Sequence, residues 1–272
     1  MEENHLANIS VALARAAEQL SPLPEPSISA KKQVASAAAD TSNETEFLST
    51  PPSGLIDTSA AISTLIDTLV NLPTNPPSLY IDLEGIYLSR FGSISILQLL
   101  VAPTDETYLL DVHILGDKVF STSGTSGSTF KTILESASIP KVFFDVRIGC
   151  NTSLPEEISE GPVECIESGL GLTYSEKQQM KNTKEAGLKL FAPEHGGSYE
   201  VFNIRPLPNQ LRLYCLQDVR YMPRLWLHYN ARLGRAWANK VQEATKDRVA
   251  LSQSKSFNGK GQHMALAPTG WF

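Results

Sequence analysis

Asp82 and Glu84 stand two residues apart in the run Leu79-Tyr80-Ile81-Asp82-Leu83-Glu84, whose composition is that of a β-strand. Successive strand side chains point to opposite faces, so the two carboxylates share one face and Leu83 takes the other. Like charges held together raise each other's pKa unless a cation neutralises them. A hard divalent ion such as Mg²⁺ or Mn²⁺ prefers carboxylate oxygen and would do so. The alternative for an isolated Asp-x-Glu is a pair of solvated acids at a strand end. Tyr214 and Asp218 form a second pair at i, i+4, which on a helix sets phenol and carboxylate on one face. A tyrosine beside a metal ligand can orient an attacking water; the alternative is a core tyrosine next to an exposed aspartate.

The elements that must position these groups are legible from periodicity. Ile62, Leu65, Ile66, Leu69 and Val70 recur at helical spacing after Ser59, a plausible cap, and Pro73, Pro76 and Pro77 end that helix. Strands are predicted at Leu79 to Glu84, Ile94 to Val101 and Thr107 to Val112, joined by short links as a meander. A helix from Thr129 to Ala137 precedes Lys141-Val142-Phe143-Phe144, an apolar run of the kind found in a buried parallel strand. Ile148 to Gly171 is broken by Gly149, Pro155, Gly161, Pro162, Gly169 and Gly171 and reads as irregular. Helical pattern returns from Ser175 to Ala186, from Pro208 to Leu233 with a kink or break at Pro223, and from Arg232 to about Ser252. The order is α/β: a mixed sheet flanked by helices.

Composition bounds the function classes. A chain of 272 residues that is 42% hydrophobic can bury a core, which excludes a wholly disordered protein. Its longest apolar run, Ile94 to Ala102, is interrupted by Ser95 and Gln98 and falls short of the roughly 18 residues of a membrane span. The acidic start lacks the features of a secretory or mitochondrial leader, so an intracellular protein of nucleus or cytoplasm is expected. Cys150, Cys165 and Cys215 are an odd count without CxxC spacing, which fits reduced thiols. Residues 1–54, rich in Ala, Ser, Pro, Glu and Thr, are expected to be a disordered tail with a short helix near Ile9 to Leu20. The domain is expected over 55–252, followed by a flexible tail over 253–272 in which Trp271 is the residue placed to dock. Charge is divided: residues 1–172 carry 8 Lys+Arg against 22 Asp+Glu, and residues 173–272 carry 15 against 7. A basic segment can follow a phosphate backbone while the acidic part holds cations, although solvated faces explain the same counts.

With these pieces in place, the chain resembles the DEDDy 3′-5′ exonucleases, the family of ribonuclease D and of Egalitarian-type exonuclease domains. The matching residues are Ile81-Asp82-Leu83-Glu84-Gly85, then Lys141-Val142-Phe143-Phe144-Asp145-Val146-Arg147, then Tyr214-Cys215-Leu216-Gln217-Asp218-Val219. The stretches Leu190 to Tyr199 and Phe202 to Leu207 look like the segment such proteins carry before the last of these motifs. Leu213 stands where the histidine subtype would have its His. The resemblance implies an RNase H-like fold and two-metal hydrolysis of phosphodiester bonds at single-stranded 3′ ends of RNA or DNA. It implies Asp82, Glu84 and Asp218 as ligands of Mg²⁺ or Mn²⁺ and Tyr214 as the residue that positions water. Lys184, Arg205 and Arg212, with Lys189 and Arg220, are the basic residues placed to contact the nucleic acid.

The chain departs from that pattern in one region. Gly149 occupies the position where the family has another aspartate, and Asp145, four residues earlier, would be displaced by roughly 13 Å along an extended chain. Ile148 to Glu164 is also too short for the helix and strand that follow in the family, as a deletion, a splice form or a misread exon would leave it. An adaptor that binds nucleic acid without turnover is therefore the alternative function, and a sheet left incomplete after the fourth predicted strand would expose an edge. His113, His195, His228 and His263 lack metal-ligand spacing, and Ser123 to Ser128 reads as a flexible connection without the order of a phosphate loop.

Overall fold

The computed structural model describes residues 54–88, 92–143, 162–252 and 254. Residues 1–53, 253 and 255–272 of the two expected tails, with the helix near Ile9 and Trp271, and Asp145 and Gly149 with most of the segment after it, lie outside the described residues.

Five strands form one mixed sheet: β1 (Leu55–Ile56), β2 (Leu79–Ile86), β3 (Ser93–Val101), β4 (Glu106–Asp111) and β5 (Lys141–Phe143). Their order is β1-β4-β3-β2-β5. The predicted meander is present as antiparallel pairs β2·β3 and β3·β4, and β5 joins β2 in parallel as expected. β1, too short to show a period, was not anticipated; it pairs in parallel with β4. The expectation of a buried strand at 141–144 is corrected. β5 is the terminal strand among the described residues and is only half-buried, because it is paired on one side.

Helices cover both faces. On one lie α1 (Ser59–Leu69), the single turns α2 (Val112–Leu115) and α3 (Lys118–Ser121), and α4 (Phe130–Glu135). Ile62, Leu65, Ile66 and Leu69 of α1 pack with Phe130, Ile133 and Leu134 of α4 against Leu79, Ile81, Leu97, Leu99 and Val101 of the sheet. Each such burial contributes roughly 1.5–3 kcal/mol, so this face carries most of the fold's apolar stabilisation. The cap of α1 is Thr58 rather than Ser59: Thr58 has the extended backbone a cap needs and its hydroxyl accepts from the Ala61 N–H at 3.3 Å. The Ser123–Ser128 loop, expected to be flexible, is instead tied to α1. Asp67 accepts from the Thr125 N–H at 2.8 Å and from its hydroxyl at 3.0 Å.

The opposite face is covered by α6 (Tyr174–Phe191), α7 (Asn209–Arg220) and α8 (Met222–Asn230), with α5 (Pro162–Gly169) ahead of them and α9 (Arg235–Ser252) following in the chain. α5 corrects the reading of Ile148 to Gly171 as irregular over its described part, 162–171. Its glycine Gly169 and proline Pro162 stand at the ends of the helix rather than inside it, where Cys165 and Ile166 are buried. α6 begins at Thr173 rather than at Ser175. Thr173 and Glu176 form a reciprocal capping box, the Glu176 carboxylate accepting from the Thr173 N–H at 2.7 Å. The expected break at Pro223 occurs: α7 ends at Arg220 and Pro223 lies in the first turn of α8, where its missing N–H costs nothing.

Candidate metal centre

Alternation along β2 sorts its residues by face. Ile81 and Leu83 pack toward α1, while Tyr80 packs against Val219 and Met222 of the α7–α8 side. Asp82 and Glu84 share the face of Tyr80. α7 crosses this face with Tyr214, Cys215, Asp218 and Val219 buried inward. The sheet and helix thereby bring Asp82, Glu84 and Asp218 together: a carboxylate oxygen from each lies within 4.8 Å of the others. These are residues that sequence reasoning singled out, and the structure joins all three with Tyr214.

Two glycines make the approach possible. The β2–β3 register shifts between Glu84 and Gly85, and a Cβ at Gly85 would stand 2.0 Å from the Ser93 carbonyl oxygen, so the bulge that follows Glu84 accepts no side chain. Gly187 of α6 lies under the Tyr214 ring, where a Cβ would meet ring atoms at 2.5 Å. Phe191 closes the other side of that ring edge-on at 5.1 Å between centroids. Gly187→Ala is accordingly expected to destabilise the protein. Helix propensity favours alanine by about 1 kcal/mol, but overpacking against a ring that Phe191 holds costs about 1–3 kcal/mol. Thermal unfolding checks the sign, and an unchanged or raised Tm would show that the ring has room to move.

Lys184, one of the basic residues expected to contact nucleic acid, sits at the cluster. Its Nζ donates to Asp218 Oδ1 at 2.8 Å and to the Tyr214 hydroxyl at 3.1 Å. Beside it a hollow of about 230 Å³ is lined by Met180, Lys181, Lys184, Glu185 and Leu188. Arg205 is held by a buried carboxylate: its Nε and Nη2 pair with both oxygens of Asp111, and Nη1 donates to the Phe202 and Ile204 carbonyls. Asp111 lies in the cross-strand row of Ile96 and Glu84, two strands from the latter, about 10 Å at 4.8 Å per strand. Arg205 thus cancels a fourth acid on this face. Arg212 is half-buried and donates to Asn209 Oδ1 at 3.4 Å.

Sequence reasoning missed Gln98 and Tyr199. Gln98 is the cross-strand partner of Asp82, is fully buried, and neither of its amide atoms has a nitrogen or oxygen partner among the described residues. Its side chain meets the Cys215 thiol, a weak hydrogen-bonding group, so the buried amide marks a polar centre. Its signal was the polar interruption of the apolar run Ile94 to Ala102. Tyr199 stacks at 5.8 Å on Phe191 and lies within electrostatic reach of Glu84. The Cys215 thiol, also buried here, is pushed up by burial and by the three acids, which keeps it protonated.

The electrostatics fit a cation. Glu84 is raised well above its ordinary value first by loss of solvent, then by Asp82 and Asp218, with Lys184 and a hydrogen bond from Tyr214 acting against the shift. Burial likewise raises Asp218, which Lys184 partly offsets. Tyr214 is raised by burial and by the acids, so it stays a neutral hydroxyl. A carboxyl raised on folding stabilises the fold fully below its unfolded value, 4.5 for Glu84, and that contribution is lost as pH rises through the folded value. Unfolding followed against pH in EDTA should therefore show stability draining away above about pH 4.5, the unfolded value. Mn²⁺ should restore it by binding the ionised acids. Identical curves with and without Mn²⁺ at neutral pH would contradict a cation site.

No protein-family model matches this chain, and no curated protein matches it. Solved structures of the RNase D of Trypanosoma brucei do. Its complex with GMP superposes with a TM-score of 0.56 at 18% identity over 79% of this chain and 69% of that chain. A second structure of the same protein gives 0.53 at 17% identity over 79% and 78%. Its complex with RNA U12 gives 0.52 at 19% identity over 75% and 71%. The five-stranded mixed sheet flanked by helices is the fold of those structures. Among the described residues no helix is long and apolar enough to cross a membrane.

Proposed function

We propose that this chain is an intracellular, metal-dependent 3′-5′ exonuclease of the DEDDy type acting on single-stranded ends of RNA or DNA. The observation that carries the reading is the convergence of Asp82, Glu84 and Asp218 to within 4.8 Å, beside the hydroxyl of Tyr214, from positions more than 130 residues apart. The likeness to RNase D structures, seen with GMP and with RNA, supports it.

Asp82, Glu84 and Asp218 would hold Mg²⁺ or Mn²⁺, and their convergence with the raised carboxyl of Glu84 fits a site built for a cation. Such ions, when bound, stabilise charge on the attacking and leaving oxygens of a phosphodiester. The neutral Tyr214 hydroxyl then orients a water by hydrogen bonding rather than by taking its proton. The hollow along α6, with Lys181 and Lys184 on its wall, offers a path for the strand.

A second reading, a nucleic-acid-binding adaptor without turnover, is favoured by Gly149, which supplies no ligand at the family's further aspartate position. Incubation with Mn²⁺ and 3′-overhang oligonucleotides of RNA and DNA separates the two. Laddering by the wild type that is absent from Asp82→Ala supports hydrolysis. Binding without laddering supports the adaptor.

A further inference from the structure

Lys184 reaches the acidic cluster from α6, and its ammonium stands where a cation would stand against Asp218. Its Nζ is 2.8 Å from Asp218 Oδ1, 3.1 Å from the Tyr214 hydroxyl and 4.5 Å from the centre of the tyrosine ring. The Asp218 side chain is 4% exposed and that of Lys184 24%, so water screens this pair weakly. The contact is also built rather than incidental. Gly187, less than one turn further along α6, lets the Tyr214 ring close onto the helix and brings the ring beneath the ammonium.

The charges set how much more cation the pocket accepts. With the three carboxylates ionised, Lys184 leaves two negative charges, and one divalent ion cancels them. A second ion would leave two positive charges in a partly buried pocket, which is costly in the absence of nucleic acid. Arg205 and Asp111 cancel each other nearby and do not alter the balance. We propose that Lys184 takes the place of one cation in this site, so that the free protein holds one divalent ion where the related fold implies two. The inference rests on the metal-dependent reading given above.

Titration of the full chain with Mn²⁺ tests it, with free Mn²⁺ read by electron paramagnetic resonance and heat by calorimetry. The wild type is expected to bind one Mn²⁺ per chain, and Asp82→Ala to lose it. Lys184→Met should bind a second ion, with the first held at least about tenfold more tightly because one repelling charge is gone. Lys184→Arg should match the wild type within about threefold, since the charge is kept. Two ions on the wild type overturn the inference even if Lys184→Met fails to fold. So does a Lys184→Met protein that binds as the wild type does. One ion bound without trimming of any 3′ end overturns the nuclease reading and leaves the lysine's role standing. No Mn²⁺ uptake by wild type or variant overturns both.

Discussion

Asp82→Ala is expected to lower Mn²⁺-dependent trimming of a 3′ end by about 10³-fold while leaving the metal-free protein as stable as the wild type or more so. The loss of rate follows from withdrawing one of three converging carboxylates. Metal ions contribute several kcal/mol of charge stabilisation to such reactions, and about 4 kcal/mol corresponds to roughly 10³ in rate. The gain in stability follows from the same geometry read without metal. The Asp82 carboxylate helps to raise the Glu84 carboxyl, so its removal relieves a repulsion between half-buried acids. A residue needed for folding would move both readouts downward. Initial rates on an end-labelled oligonucleotide and Tm in EDTA check the two arms, and a variant that retains wild-type trimming would remove Asp82 from the centre.

Arg205→Ala should have the largest effect on folding. Its guanidinium pairs with both oxygens of Asp111, a fully buried carboxylate that also caps α2 by accepting from the Ile114 N–H at 3.0 Å. Removing one member of a buried pair leaves an uncompensated charge and costs about 3–5 kcal/mol. In a domain of this size that lowers Tm by roughly 10 °C, at about 2–4 °C per kcal/mol. Arg205 also donates to the Phe202 and Ile204 carbonyls, so the Tyr199–Asn203 turn beside Glu84 should loosen with it. If Arg205 served chiefly to contact nucleic acid, Tm would hold and the salt-dependent part of binding would fall instead. Thermal unfolding and a binding isotherm at two salt concentrations distinguish these outcomes.

Much of the scaffold was legible because it obeys short-range rules. The alternation in Leu79 to Glu84 assigned Asp82 and Glu84 to one face, the 3.6-residue stripe of α7 assigned Tyr214 and Asp218 to another, and Pro223 marked the break before α8. Errors came where a local signal was shared by neighbours. Thr58 and Ser59 are both good caps, as are Thr173 and Ser175, and the choice fell to backbone angles and to the reach of Glu176. Gly169 and Pro162 marked boundaries of α5 that were mistaken for its absence.

The amino-acid order by itself determined the acidic and phenolic residue types, their pairing on a strand and on a helix, and the fold class, since periodicity and residue chemistry are properties of nearest neighbours along the chain. Only the tertiary structure decided that the two pairs meet, that Lys184 enters their company, that Arg205 turns to Asp111, and that Gln98 is buried beside Asp82. The reason is that a lysine or an arginine has the same solvated appearance in any sequence. What it pairs with depends on which buried carboxylate lies within hydrogen-bond reach, and that distance exists only once sheet and helix have packed.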